Sequence, residues 1–349
     1  MDKVLYSKRG GMKSRSFSDY IFGAKHIGAT LGQLPIRSLG KMDYETFIND
    51  FIQKQHTVKG EKRYYSQSRL HNVYMVLRIV VRYAYEEDII LKNYMENIKE
   101  PFGNAPITDK YKALKDDEIA EIIIAVNDNL ALKALILILR DTGIRPGEAL
   151  ALTFENVDLD NCKVRIEQAL SYDIKFDIET KKELSQVPII KELKNERGKV
   201  SLVARRTLNI TQEASQAARD WKSAIESNKK LMAKRTANHT ENMLFTGQDG
   251  TLKMEEYHAK QFSGALKRKG LSEKGYIFYR FRHTFCTNLV QMGIDITTIA
   301  KLMGDATLDM ILEVYNNINK EDIDQASNKY IERLGNLSDN KEMNKQKVD

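Results

Sequence analysis

Apolar positions three and four residues apart run through most of this chain. Leu70, Val73, Tyr74, Leu77, Val81 and Ala84 form one such stripe, which predicts a helix from about Gln67 to Glu87 packed in a small helical domain. Phe47, Phe51 and Ile52 predict a shorter helix ahead of it, with Asp43 placed to cap its start. Further on, the acidic run after Leu114 opens another helix, and Leu130 to Arg140 is strongly apolar, with Gly143 fitting its stop. Pro146 then suits the first position of a new helix, with Arg145 at its mouth.

The period changes at residues 163 to 170, where Val164, Ile166 and Gln168 alternate like a strand; residues 199 to 210 predict two more short strands or a hairpin. The stretch between, 171 to 198, is charged and ambiguous. Helix resumes at Gln212 and includes Trp221, the only tryptophan, and 228 to 242 reads as a loop or helix end. Arg282 and His283 precede a helical pattern with Phe285, Leu289 and Met292 inward and Gly293 as its stop. A helix from Ile296 to Met303 ends at Gly304. Thr307 caps the next, whose face carries Leu308, Ile311, Leu312, Tyr315 and Ile318. By periodicity alone, Tyr315 is therefore a core tyrosine.

Residues 1 to 40 are basic and contain glycines, which predicts an exposed, partly ordered lead-in. Proline, glycine and polar residues without periodicity mark a linker at 101 to 112, and the charged end from 335 to 349 reads as a mobile tail. The expected division is thus a lead-in at 1–40, a helical domain at 41–100, a linker at 101–112, a larger domain at 113–334 and the tail. The fold class is mainly α with a small antiparallel sheet.

Composition narrows the function classes. With 349 residues, 42% of them hydrophobic, the chain has enough apolar material for two cores, which excludes a wholly disordered chain. The 55 Lys and Arg exceed the 48 Asp and Glu by seven, and the pI near 9.0 suits a polyanionic partner. Cys162 and Cys286 stand far apart with no CxxC or Cys/His spacing, so the sequence indicates neither a disulfide framework nor a metal site. No signal core is visible, and no run approaches the roughly 18 apolar residues of a membrane span, so the expected setting is cytoplasmic. Lys62, Arg63, Arg69 and Arg78 surround or lie on the Gln67 helix with Tyr64 and Tyr65 between them. They serve either as a solvated face or as contacts to a duplex backbone.

Arg145 beside the free N–H groups of one helix start, and Arg282 near another, form a combination suited to an anion such as a phosphate. The block Thr142-Gly-Ile-Arg-Pro-Gly-Glu, the run Arg282-His-Thr-Phe-Cys-Thr and the spacing from Leu302-Met-Gly to Val314-Tyr resemble the tyrosine recombinases, specifically the integrases of phages and conjugative transposons of Gram-positive bacteria. The resemblance covers roughly residues 40 to 330. It implies a helical core-binding (SAM-like) domain followed by a tyrosine-recombinase catalytic domain, together clamping duplex DNA.

The same resemblance implies that Tyr315 attacks a DNA phosphodiester, giving a 3′-phosphotyrosyl link and a free 5′-hydroxyl. Arg145 and Arg282 would stabilise the transition state, Glu148 would brace an arginine, and neither a metal nor any other cofactor is expected. A hairpin lysine would protonate the leaving 5′-oxygen: Lys199 matches best, with Lys194 and Lys191 as competitors. Two positions depart from the family pattern, since Tyr279 and Asp305 stand where histidines are common. Tyr279 can still donate a hydrogen bond, whereas an ionised Asp305 would repel a phosphate and suits a bracing role. His283 is a supporting donor.

The partners implied are double-stranded DNA at attachment sites, three further copies of the chain in a tetramer, and an accessory DNA-bending or excision factor, in a nucleoid-associated setting with no membrane. Forty residues are too few for a separate arm-site-binding domain, so the expectation is recombination at simple sites or a shortened chain. Two alternatives share these residues: a catalytically silent DNA-binding relative, for which Tyr279 and Asp305 speak, and a type IB topoisomerase.

Overall fold

The computed structural model describes residues 1–9, 14–58, 60–104, 112–193, 204–304, 311, 312, 314 and 331. They divide between two compact units, residues 1–109 with 172–189, and residues 110–171 with 190–349.

The first unit is built on four helices, α1 (Asp2–Arg9), α2 (Ser14–Gly28), α3 (Lys41–Gln53) and α4 (Gln67–Glu86), with a ribbon of β1 (Gln55–Val58) and β2 (Glu61–Tyr64) between the last two. α4 buries Leu70, Val73, Tyr74, Leu77, Val81 and Ala84, the stripe that its spacing predicts, and adds Val76 and Val80. At the start of α3 the Asp43 carboxylate accepts from the Gly40 amide at 2.7 Å, so Asp43 caps the helix from its third position rather than from outside it.

Residues 1–40 differ from the expected lead-in. Val4, Leu5, Phe17, Ile21, Ala24 and Ile27 are buried in the same cluster as the apolar face of α4. Gly23 lies in the buried stripe too, where a side chain would run into Val76, while Lys25 is exposed. Residues 172–189, within the stretch whose charge leaves its structure ambiguous in sequence, contribute to the same core. Tyr172, Ile174, Phe176 and Ile178 alternate with polar residues, and Phe176 and Ile178 are buried in the core of the first unit, the Phe176 ring lying 5.9 Å from that of Phe17.

The second unit is organised around α6 (Leu130–Thr142), in which Leu132 and every residue from Ala134 to Leu139 are buried. A helix apolar on all sides belongs at the centre of a core. Around it lie α5 (Asp116–Val126), the short α7 (Pro146–Leu150), α8 (Gln212–Ser227), α9 (Lys229–Ala237) where a loop or helix end is expected, α10 (Glu255–Arg268), α11 (Phe278–Gln291) and α12 (Ile296–Met303). Side-chain oxygens start four of these helices: Asn129 accepts from the Leu132 amide, Thr211 from Ala214, Asn228 from Leu231 and Asp295 from Thr298, at 2.9–3.2 Å.

An antiparallel sheet of β3 (Val157–Asp158), β4 (Lys163–Ile166) and β7 (Arg206–Asn209) lies against this core, in the order β3-β4-β7. Val164 and Ile166 are buried, as their alternation predicts, and pair with Leu208 and Arg206. The longer β5 (Gln168–Asp177) and β6 (Lys182–Glu192) pair with each other.

Phe17→Ala tests the reassigned N-terminus. Removing this buried ring is expected to destabilise the first unit by about 3–5 kcal/mol, as for other buried phenylalanines. Urea unfolding followed by limited proteolysis should show residues 1–104 opening at lower denaturant, with the 112–193 and 204–304 segments unchanged. An unshifted transition would mean that Phe17 is not part of that core.

Candidate active site

α6 terminates at Gly143, whose φ of +58° is left-handed. A side chain there would collide with the ring of Phe285, so the turn requires glycine both for its conformation and for its packing. Two residues on, Arg145 is the N-cap of α7, and Pro146 holds the first helical position, where its missing N–H costs nothing. Glu148 at the third position turns back, and its carboxylate accepts from the Arg145 amide and the Arg145 guanidinium, both at 3.1 Å.

Glu148 is 1% exposed and is also held by Arg206 from β7, whose Nη2 donates to it at 2.8 Å. The Arg206 guanidinium further donates to the carbonyls of Leu302, at 2.7 Å, and Ala204, at 2.9 Å. The turn that ends α12 closes over this arginine. Gly304 there has φ +65°, and a side chain on it would run into the Arg206 guanidinium. The Gly304 carbonyl in turn accepts from Arg145 at 3.4 Å.

Arg282 completes the group, from a position the sequence does not predict. Phe278 and Phe281 carry α11 back beyond the expected start, so Arg282 lies in its second turn rather than at its mouth. It is 1% exposed and donates to the Gly143 carbonyl at 2.9 Å. Just past the end of this helix Met292 is exposed, against expectation, while Phe285 and Leu289 pack, partly buried, against a cluster that includes Cys286 and Val290.

The electrostatics follow from three guanidiniums around one carboxylate. Burial alone would raise the Glu148 pKa, but Arg206, through charge and hydrogen bond, with Arg145 and Arg282 behind it, outweighs that and holds the carboxyl below its ordinary value. Burial pushes Arg282 down to about 10, and Arg145 pushes the same way against Glu148 and Tyr279. Glu148 and Arg282 are therefore charged at neutral pH, and three guanidiniums against one carboxylate leave the cluster with excess positive charge, its Arg145 edge open to solvent. Such a site suits an anion with several acceptor oxygens.

Tyr279 is half-buried one turn before Arg282 and close enough to affect its charge. His283, also half-buried, has its Nδ1 3.5 Å from the Thr287 hydroxyl. Arg145, Glu148, Tyr279 and Arg282 thus come together. Arg206, which the sequence marks only as part of an Arg-Arg-Thr strand, joins them.

Tyr315, Asp305, Lys199 and Lys194 lie outside the described residues, and Lys191 is exposed on β6. Ile311 and Val314, just ahead of Tyr315, are buried with Cys286, Val290, Ile299 and Met303, whereas Leu312 is partly exposed and does not share their face. The remaining candidates belong to the first unit. Arg63 is paired with Glu61, and Arg69 is paired with Asp19 at 3.1 Å and lies over the Phe22 ring. Lys62 and Arg78 are exposed, with no ion pair among the described residues.

Replacing Glu148 with alanine leaves the arginines facing one another uncompensated and is expected to cost about 3–5 kcal/mol of stability in the second unit. A carboxyl with a depressed folded-state pKa contributes stability that is fully present above its unfolded value and is lost as pH falls through the folded value. Denaturation at stepped pH should therefore show the wild type losing its advantage over Glu148→Ala below the ordinary carboxylate range. A gap independent of pH would contradict the ionised, arginine-held carboxylate.

The chain is similar in sequence and in fold to known proteins. The chain is 23% identical over 246 residues to a tyrosine recombinase XerC-like protein of Caldanaerobacter subterraneus subsp. tengcongensis, covering 69% of this chain and 60% of that protein, so it spans less than two thirds of that relative. It is 22% identical over 324 residues to the transposase of transposon Tn916 from Enterococcus faecalis, covering 89% and 72%. Among solved structures, the Tn1549 transposon integrase in complex with transposon right end DNA superposes with a TM-score of 0.66 at 19% identity, covering 96% of this chain and 99% of that one. A lambda integrase dimer bound to a core site gives 0.56 at 15% identity, covering 90% and 92%. At such identities these two likenesses are of fold. The sequence profile described as "Phage integrase family" matches residues 112–322, well over half of the chain, and the chain belongs to that family.

Proposed function

We propose that the protein is a site-specific DNA recombinase that cuts and rejoins duplex DNA through a 3′-phosphotyrosyl intermediate. The observation that carries this reading is the grouping of the half-exposed Arg145 and the buried Arg206 and Arg282 around Glu148, which supplies fixed donors and excess positive charge for one phosphodiester.

Tyr315 is the nucleophile. Its oxygen, giving up its proton to solvent, attacks the scissile phosphorus, the bond from phosphorus to the 5′-oxygen breaks, and that oxygen takes a proton from Lys199, with Lys194 and Lys191 as the competing donors. Arg145 and Arg282 bind the non-bridging oxygens, which gain charge in the pentacovalent state, so donors already in place stabilise it without reorganisation. Glu148 keeps Arg145 and Arg206 aligned rather than touching DNA. Tyr279 donates to a phosphate oxygen, His283 supports Arg282, and Asp305 braces the site. In the second step a partner strand's 5′-hydroxyl attacks the phosphotyrosyl phosphorus and releases Tyr315. The link conserves the phosphodiester bond energy, so no nucleotide hydrolysis is required.

The first unit acts as the core-DNA-binding domain, through Lys62, Arg63, Arg69 and Arg78, and the second is catalytic. Two DNA segments at attachment sites are held by a tetramer, with an accessory DNA-bending or excision factor setting direction, in the cytoplasm where the nucleoid lies. Transposases and integrases of mobile elements among the similar proteins support this choice of substrate. No helix among the described residues is long and apolar enough to cross a membrane.

Nicked duplexes carrying the junctions that flank the gene provide the test. The full chain is expected to form a detergent-stable DNA adduct that is absent in Tyr315→Phe. Arg145→Ala and Arg282→Ala should slow adduct formation about 10²–10³-fold, the usual cost of losing one preorganised donor. Tight binding without any adduct would make the protein a silent DNA-binding relative. Relaxation of arbitrary supercoiled DNA without recombination would make it a topoisomerase.

A further inference from the structure

Between α3 and α4 the chain runs into the β1–β2 ribbon, in register Gln55↔Tyr64, His56↔Arg63, Thr57↔Lys62 and Val58↔Glu61. Cross-strand partners share a face, so Gln55, Thr57, Lys62 and Tyr64 stand on one side and His56, Val58, Glu61 and Arg63 on the other. The two sides differ in chemistry.

The second side is used internally. The His56 ring stacks on Tyr65 at 4.5 Å and 13°, Tyr65 stacks on Phe51 at 4.9 Å and 11°, and Phe51 on Phe47 at 6.2 Å and 22°. This column of rings fixes the base of the ribbon to α3. Glu61 holds the Arg63 guanidinium through two hydrogen bonds, at 2.5 and 3.2 Å, so that arginine is already matched to a carboxylate.

The first side is left open. Gln55, Thr57 and Lys62 are exposed, and none makes a side-chain hydrogen bond or ion pair among the described residues. No acidic residue stands on that face. Beside the half-buried Tyr64 ring, this face carries an amide, a hydroxyl and an ammonium, a mainly polar set of hydrogen-bonding groups. It matches the edges of base pairs.

We infer that the β1–β2 ribbon enters the major groove of duplex DNA with its Gln55, Thr57 and Lys62 face and reads base edges there. The inference rests on the recombinase reading for its partner. The major groove is about 12 Å wide and admits a two-stranded β-ribbon. A glutamine amide pairs with the two-point edge of adenine, a lysine with the acceptors of guanine, and a threonine methyl with that of thymine. The aromatic column adds preorganisation: a ribbon already fixed in place loses little freedom on binding. Lys62, assigned above to generic DNA binding, becomes a residue that selects sequence.

Selection from a pool of random-sequence duplexes, with the full chain as bait, tests this. The wild type is expected to enrich a consensus. The double variant Gln55→Ala, Thr57→Ala should lose preference at one short block of that consensus, by roughly ten- to hundredfold per lost two-point contact, and keep the rest. Both side chains are exposed, so the variant should unfold at the same urea concentration as the wild type. Arg78→Ala, off the ribbon, should weaken binding to all sequences alike and leave the consensus intact. An unchanged consensus in the double variant overturns base reading by the ribbon while the recombinase reading stands. A wild-type chain that enriches nothing, yet still forms the Tyr315-dependent adduct on flanking junctions, overturns the ribbon proposal alone. A chain that does neither overturns both.

Discussion

A single buried carboxylate, Glu148, sets the geometry of the second unit's arginines. Taking a carboxylate and guanidiniums out of water is costly, and only close, well-directed pairing offsets that cost. The pairing here is between elements distant in sequence: α7 supplies Arg145 and Glu148, β7 supplies Arg206, and the turn after α12 supplies the carbonyls of Leu302 and Gly304. Three parts of the chain are thereby tied to one charge. An arrangement with one anion and several cations is still unbalanced, and that surplus is what a phosphodiester would neutralise. Structural satisfaction and readiness for an anion come from the same carboxylate, because Glu148 holds the arginines without cancelling them.

Two glycines make this closure possible. At Gly143 the left-handed turn lets α6 end under Phe285 and aims the carbonyl at Arg282; at Gly304 the same conformation lets α12 end directly over Arg206. Each turn fixes an arginine through a backbone carbonyl rather than through a second acid. Carbonyls orient a guanidinium by hydrogen bonding while leaving its full charge available. A second carboxylate in either place would have oriented it equally well and weakened the field at the site.

How much of this the sequence discloses depends on how local the cause is. α4, α6, α7 and α12 are legible because apolar period, proline at a first position and glycine at an end act within a few residues. Arg145 and Glu148 are legible for the same reason, both lying in one helical turn. Arg206 is not, since its role depends on the β4–β7 register and on a carbonyl from α12 nearly a hundred residues away. Arg282 is found by motif but misplaced by one turn, because Phe278 and Phe281 extend α11 through apolar contacts that a boundary rule misses. The N-terminal helices show the opposite failure: Phe17, Ile21, Ala24 and Ile27 are spaced as a helix, yet glycines and basic residues around them conceal the stripe.

Under the proposed function, the ribbon and the arginines around Glu148 would be two different ways of meeting a nucleic acid. Buried guanidiniums held by carbonyls and one carboxylate can recognise only what every phosphodiester shares, and rigidity there serves rate. Exposed Gln55, Thr57 and Lys62 have no such supports of their own, and their order comes from the aromatic column beneath the strands. That separation has a physical basis. A donor bound tightly to protein partners is well aimed but cannot exchange them for the varied pattern of base edges, whereas an unengaged side chain on a fixed backbone can. Chemistry that must act on any phosphate and contacts that must distinguish one sequence from another therefore call for opposite treatments of the same kinds of side chain, and under the proposed function the two units of this protein would supply one each.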